Sequence, residues 1–320
     1  MTERVVDNSG DTKQRRKARW TVKGTAGLIA FTAFIIYMIG PAVLLSDFYR
    51  SVILNPGKPV ASDYANLNQS NMKCQEFFFQ NSAGDHLHGI LLRQPGSNKV
   101  VIYHHGNAGN LASRKEAYIA IGLAGASVFG YDYRGYGKSS GVPTLQGILD
   151  DGLAAFDFVH SQLKFAQSDI INYGESLGGG PACYVSAHRS TGGLILQSAI
   201  SSLPEVGKWN FPPLRLYPSF FFPEPHMDNM ELASAFRCPL AVICGGKDTT
   251  IPWQLGKHVY DRALEPKQLV ILADSHHNAI ESKEDLYSYI KAIKFVVFHD
   301  GMGNASPQST SPDRHLPDKS

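Results

Sequence analysis

Gly174-Glu175-Ser176-Leu177-Gly178 is the stretch that decides the reading of this chain. It follows a short apolar run, Asp169–Tyr173, that predicts a strand, and it opens Ser176–Arg189, which predicts a helix. In that strand–turn–helix setting a G-x-S-x-G pentapeptide is informative, because the turn is sharp. Small residues at both flanks let strand and helix approach without side-chain collision, and Gly179-Gly180 extend the clearance. The serine Oγ then stands at the carboxyl end of a sheet, with the first amides of the helix aimed at the same point.

Outward from this turn, strands and helices alternate. Cys74–Gln80 and His86–Arg93 predict two strands joined by Asn81-Ser82-Ala83-Gly84-Asp85, a hairpin signal. Lys99–Tyr103, Ala126–Tyr133, Leu194–Leu196, Leu240–Cys244 and Leu269–Leu272 predict further strands. Helices are predicted over Ala112–Leu123, Trp253–Leu264, Lys283–His299 and Leu145–Leu163, the last with Leu149, Leu153, Phe156 and Val159 at three- and four-residue steps. This rhythm implies right-handed βαβ crossovers and an α/β fold, a doubly wound, mostly parallel sheet in which only the opening hairpin is antiparallel. It breaks at about residues 200–237, where proline and aromatic residues crowd together, and an insertion at that corner is placed to act as a lid.

The chain has 320 residues, 43% hydrophobic and 18% charged, with a net charge of +2. That balance excludes a disordered chain, and four cysteines exclude a disulfide-stapled mini-protein. Residues 1–23 hold seven Lys/Arg against three Asp/Glu, so the slight basicity belongs to an N-terminal arm, and nucleic-acid binding by the near-neutral remainder is not expected. Residues 24–46 carry no charge and show no polar stripe. As a helix they would reach about 34 Å, enough to cross a hydrocarbon core of about 30 Å. With six basic residues just before this run, the expected orientation is a cytosolic N-terminus and a body on the non-cytosolic side. The organisation read from the sequence is a basic tail (1–23), a transmembrane signal-anchor in the bilayer (24–46), a connector (47–72), the α/β domain (73–300) and a flexible tail (301–320). The sequons at Asn68 and Asn304 are compatible with a lumenal or external body, and among the cysteines only Cys74 and Cys238 offer a disulfide pair.

A serine at its ordinary pKa needs a base, itself oriented by an acid. Asp248 lies just past the strand Leu240–Cys244, and Asp274-Ser275-His276-His277-Asn278 follows the last strand, giving the order Ser…Asp…His with either histidine as base. His104-His105-Gly106-Asn107-Ala108-Gly109 follows the first parallel strand, where glycines turn backbone N–H groups toward a developing oxyanion. The expected hole pairs the amide of Asn107 with that of Leu177. The histidine pairs lack a carboxylate or cysteine cluster at zinc spacing, so neither metal nor cofactor is expected.

The strings His105-Gly106-Asn107-Ala108-Gly109-Asn110, Tyr131-Asp132-Tyr133-Arg134-Gly135-Tyr136-Gly137-Lys138-Ser139 and Gly174-Glu175-Ser176-Leu177-Gly178-Gly179 resemble the α/β-hydrolase superfamily. Within it, the chain from about 74 to 298 is similar to membrane-anchored serine hydrolases of the bud-emergence-protein type. The resemblance implies the hydrolase fold, an N-terminal single-pass anchor, and a base in the histidine directly before an asparagine, which is His277. Ser275, His276 and Ala279 depart from the family pattern. The resemblance also implies a structural role for Arg134. Together these readings predict a serine hydrolase in which Ser176, His277 and Asp248 cleave an acyl ester or thioester. Protein depalmitoylation is one such reaction, although the depalmitoylating branch carries an N-terminal cysteine cluster and this chain has no cysteine before Cys74. A peptidase of the same fold and a non-catalytic tethered binding protein are the alternatives, and the oligomeric state is left open.

Overall fold

The computed structural model of the protein describes residues 24–35, 37, 40, 53–57 and 73–299. Eight strands form the central sheet: β1 (Lys73–Gln80), β2 (His86–Arg93), β3 (Val100–His104), β4 (Ser127–Tyr131), β5 (Ile170–Glu175), β6 (Gly193–Gln197), β7 (Leu240–Gly245) and β8 (Lys267–Leu272). Their spatial order is 1-2-4-3-5-6-7-8. β2 runs antiparallel to both β1 and β4, and every other pairing is parallel. The doubly wound, mostly parallel sheet is therefore as expected. Its strands β3 to β7 are buried along their whole length, as a parallel sheet covered by helices on both faces requires.

Alternation along β3 sorts the core. Val100 and Ile102 face the layer formed by α2 (Leu145–Ser161) and α3 (Gly179–His188), whereas Val101 and Tyr103 face α1 (Lys115–Leu123) and α7 (Lys283–Val297). Helix α2 starts because Thr144 accepts a bond from the Gly147 amide at 3.0 Å, and it buries Ile148, Leu149, Ala155, Phe156 and Val159. Each such buried Leu, Ile or Phe contributes roughly 1.5–3 kcal/mol of transfer free energy. On the α7 side, Ser282 caps the helix by accepting from the Asp285 amide at 3.1 Å, and Tyr289, Ile293 and Val297 return to the sheet.

The insertion at 200–237 contains α4 (Leu203–Asn210), the single-turn α5 (Asn229–Leu232) and three 3₁₀ turns (Pro212–Leu216, Ser219–Phe221 and Ala233–Ala235). Its prolines restrict the segment to short turns. Phe222 and Met227 anchor its base in the core, while Phe211, Leu216 and Phe220 stay exposed. After it, α6 (Trp253–Arg262) connects β7 to β8.

One expectation changes here. Cys74 and Cys238 do not pair: all four cysteines are free, Cys74 on the edge strand and Cys238 buried with Cys183 and Cys244 under the opposite face. Of the anchor predicted over 24–46, residues 24–35, 37 and 40 are described and all are helical, but among the described residues no helix is long and apolar enough to cross a membrane. Within the connector, Asn55–Pro56 pairs in parallel with Ala108–Gly109. The tails 1–23 and 301–320, both sequons, and most of the connector lie outside the described residues.

Candidate active site

Ser176 follows β5 directly and sits at φ +55°, a left-handed conformation that a non-glycine residue adopts at a cost of roughly 1–3 kcal/mol. The glycines around it make the turn possible. A Cβ on Gly174 would lie 2.6 Å from Gly179 Cα, and one on Gly178 would lie 2.6 Å from the His104 carbonyl carbon. The chain continues as a 3₁₀ turn (Ser176–Gly178) before α3 begins, so the predicted helix starts one tighter turn late.

The loop after β8 brings His277 Nε2 to 3.1 Å from Ser176 Oγ. The loop after β7 brings Asp248 Oδ2 to 2.7 Å from His277 Nδ1. With the Nδ1 proton donated to Asp248, Nε2 is left as an acceptor for the serine hydroxyl. Asp248 Oδ1 accepts from the amides of Thr250 (2.8 Å) and Ile251 (2.9 Å). Burial pushes the Asp248 carboxyl up, but the His277 bond and these two amides outweigh it, and the group titrates below the ordinary aspartate range. His276 turns the other way, its Nδ1 on Glu281 at 2.8 Å and its side chain half exposed. Of the two histidines left open by the residue pattern, only His277 reaches the serine.

Asn107 lies in the loop three residues past β3, and Leu177 lies in the 3₁₀ turn that follows β5. Gly106 brings the β3 loop against the serine, since a Cβ there would lie 3.4 Å from Ser176 Cβ. Carbonyls of this loop are held from outside: Tyr133 donates to His105 O and Tyr136 to Asn107 O, each at 2.9 Å. Asn55 and Gly57 amides donate to Asn107 O (3.1 Å) and Gly109 O (2.9 Å), so the connector braces the loop.

Sequence reasoning missed a buried cluster directly behind the serine. Glu175 is nearly fully buried. Its Oε2 accepts from Tyr103 at 2.6 Å and lies 2.7 Å from Arg114 Nε, while Oε1 accepts from Asn278 Nδ2 at 2.9 Å. Arg114 Nη2 also donates to Ala108 O at 2.8 Å. Asn278, like Ser176, has a positive φ, +58°. The only available signal was a glutamate beside the nucleophile. Arg134, by contrast, lies in a separate ion pair with buried Asp151 at 2.7 Å, a structural placement.

His104 and His105 are both buried. His104 lies between Tyr131 OH (2.7 Å) and Asn172 Oδ1 (3.2 Å), and burial holds it down at about 4 despite the Asn172 bond. Among the described residues no group of three or more His, Cys, Asp or Glu is arranged to hold a metal ion. A cavity of about 790 Å³ lies behind the site between α1 and the 278–280 loop, and neither Ser176 nor His277 lines it. Glu175, Arg114 and Asn278 line it together with Ala117, Leu123 and Ile280.

The α/β hydrolase fold family matches residues 99–222. A Mycobacterium tuberculosis protein described as uncharacterized is 31% identical over 220 residues, which cover 69% of this chain and 73% of that protein. Human alpha/beta hydrolase domain-containing protein 17B is 27% identical over 235 residues, 72% of this chain and 77% of its own. A Pyrococcus furiosus esterase structure superposes with a TM-score of 0.62 at 18% identity, covering 76% of this chain and 97% of that one, a likeness of fold.

Proposed function

The chain belongs to the α/β-hydrolase superfamily, and from that premise we propose that it is a membrane-anchored serine hydrolase acting on acyl esters or thioesters. The carrying observation is the hydrogen-bond chain Ser176–His277–Asp248 assembled from three strand ends. Ser176 Oγ bonds to the acyl carbon as His277 Nε2 takes its proton, and the carbonyl oxygen becomes an oxyanion facing the amides of Asn107 and Leu177. The imidazolium gives that proton to the departing alkoxide or thiolate, leaving an acyl-serine. Water then adds to the acyl carbon while His277 takes a water proton, and the proton passes to Ser176 Oγ as the carboxylic acid leaves. Asp248 holds the ring in one tautomer throughout.

An apolar acyl chain is favoured by what surrounds the site. The insertion exposes Phe211, Leu216 and Phe220. The helix over 24–35 exposes Leu28, Ile29, Phe31 and Phe34. Tyr37 stacks on Tyr217 of the insertion with ring centroids 5.0 Å apart. These features support an anchor over residues 24–46 in the bilayer, with residues 1–23 cytosolic and the hydrolase domain on the other side.

The test is steady-state hydrolysis of a p-nitrophenyl acyl ester series by the wild type, Ser176→Ala, His277→Ala and His276→Ala. Turnover lost by at least a thousandfold in the first two and kept in the third supports the reading. Equal turnover in wild type and Ser176→Ala removes it.

A further inference from the structure

We propose that the cavity behind the serine turn is a second binding site, which takes an uncharged single-chain lipid by its hydroxyl head. The cavity holds about 790 Å³, within the range of about 300–1,000 Å³ common for small-molecule sites. Neither Ser176 nor His277 lines it, so its occupant is a separate molecule and not the acyl group being transferred. Its floor is polar and belongs to the sheet. Glu175 of β5 and Gln197 of β6 line it and are register partners in the parallel ladder. Their side chains therefore stand on one face, on strands about 4.8 Å apart. Both residues are more than nine-tenths buried.

Gln197 is only half satisfied. Its Oε1 accepts from Tyr173 and, at 3.3 Å, from Tyr289, which fixes the carboxamide oxygen toward the tyrosines. Its Nε2 makes no hydrogen bond among the described residues, and a buried donor of this kind calls for an acceptor. Glu175 offers the complement, because its Oε1 accepts only from Asn278 at 2.9 Å among the described residues and has capacity for one more donor. A hydroxyl at the floor accepts from Gln197 and donates to Glu175. Ionic heads are disfavoured. Arg114 Nε lies 2.7 Å from Glu175 Oε2, so the guanidinium is already matched, and Glu116 adds a second carboxylate at the cavity wall. A carboxylate head would meet unbalanced negative charge, and an ammonium head would compete with Arg114 for Glu175. Above the floor the walls are apolar: Ala117, Ala120 and Leu123 of α1, Ile280 of the loop before α7, and Leu286 of α7. Leu123 and Leu286 are 62% and 41% exposed at the rim, so an alkyl chain lying between the helices covers apolar surface that water otherwise meets.

The test is photolabelling of the full chain in phosphatidylcholine vesicles with a decanol that carries a diazirine in its chain, each adduct being assigned to a residue by mass spectrometry. Expected are adducts within 117–123 and 280–286. Unlabelled decanol should suppress them at concentrations at least about tenfold below those needed of decanoate or decyltrimethylammonium. Gln197→Met removes the free N–H donors and should weaken the decanol competition about tenfold. Leu123→Glu puts a charge in the path of the chain and should weaken it at least as much. Leu123 is exposed, so that variant decides the matter if Gln197→Met does not fold. No adduct in these two stretches, equal competition by decanoate, or unchanged competition in either folded variant overturns the proposal. So do adducts confined to 176–178 or 276–277, which place the probe in the catalytic groove. Ser176→Ala should label as the wild type does, so the outcome stands apart from the serine-hydrolase reading, which fails instead on absent turnover.

Discussion

Replacing Asp248 by asparagine should abolish most turnover while leaving the fold in place, and the geometry says why. Oδ1 of Asp248 accepts two amides, from Thr250 at 2.8 Å and Ile251 at 2.9 Å, and two N–H donors there will not tolerate a carboxamide NH₂. The asparagine must turn its oxygen to those amides. Its NH₂ then faces His277 Nδ1, which lies 2.7 Å from the present Oδ2. A donor at that place forces Nδ1 to accept and moves the ring proton to Nε2, the atom 3.1 Å from Ser176 Oγ that has to receive the serine proton. The base is thus held in the wrong tautomer rather than merely weakened. A fall in kcat on the order of 10⁴ follows, equivalent to about 5 kcal/mol of transition-state stabilisation. Acylation should be followed in a single-turnover experiment with a p-nitrophenyl ester, alongside circular dichroism to establish folding. A loss smaller than about tenfold in a folded variant would refute this account of Asp248.

Arg134→Ala should lower stability by about 3–5 kcal/mol, because it removes the cation from the fully buried Asp151 carboxylate and leaves only the Asn81 side chain and the residue-134 amide as donors. Denaturant melts should show that loss, with kcat on soluble esters unchanged. His104 gives a pH dependence: its folded pKa of about 4 lies below its ordinary 6.5. Its contribution is therefore full above about pH 6.5 and is lost as the pH falls toward 4, where only the unfolded chain takes up the proton. That amounts to on the order of 3 kcal/mol, visible as a falling urea midpoint that His104→Gln flattens. Finally, the protein expressed in cells should stay in the membrane pellet after alkaline carbonate extraction, and deletion of residues 1–46 should release it; extraction of the full chain would contradict the anchor.

Much of the framework was legible because its signals are local. Asn81 and Gly84 make the β1–β2 turn, Asn81 Oδ1 accepting from the amides of Ala83 (3.0 Å) and Asp85 (2.9 Å) and Gly84 adopting φ +85°, so the hairpin could be read from sequence. The serine turn was legible in part for a similar reason: Gly174 is required by contact with Gly178 and Gly179 just after it, whereas the contact that requires Gly178 is with His104 at the end of β3. The choice between His276 and His277 was not local. It depends on which side chain the loop after β8 directs inward, and there the family resemblance supplied what the residue pattern left open. The Arg114–Glu175 pair was invisible because its members are far apart in sequence and meet only after β3 and β5 pair. The structured bridge Asn55–Pro56 was hidden likewise, since its partner strand is only two residues long. In the insertion, Ser202 and Pro204 mark the start of α4, but eight residues give too little periodicity to read as a helix.

The central claim is that Ser176 is an activated nucleophile. It is tested most directly by treating the folded protein with a fluorophosphonate and locating the adduct by peptide mass spectrometry. The account predicts one stoichiometric adduct on Ser176, absent from Ser176→Ala and strongly slowed in His277→Ala. A folded wild type that remains unmodified, or an adduct on another residue, would contradict it.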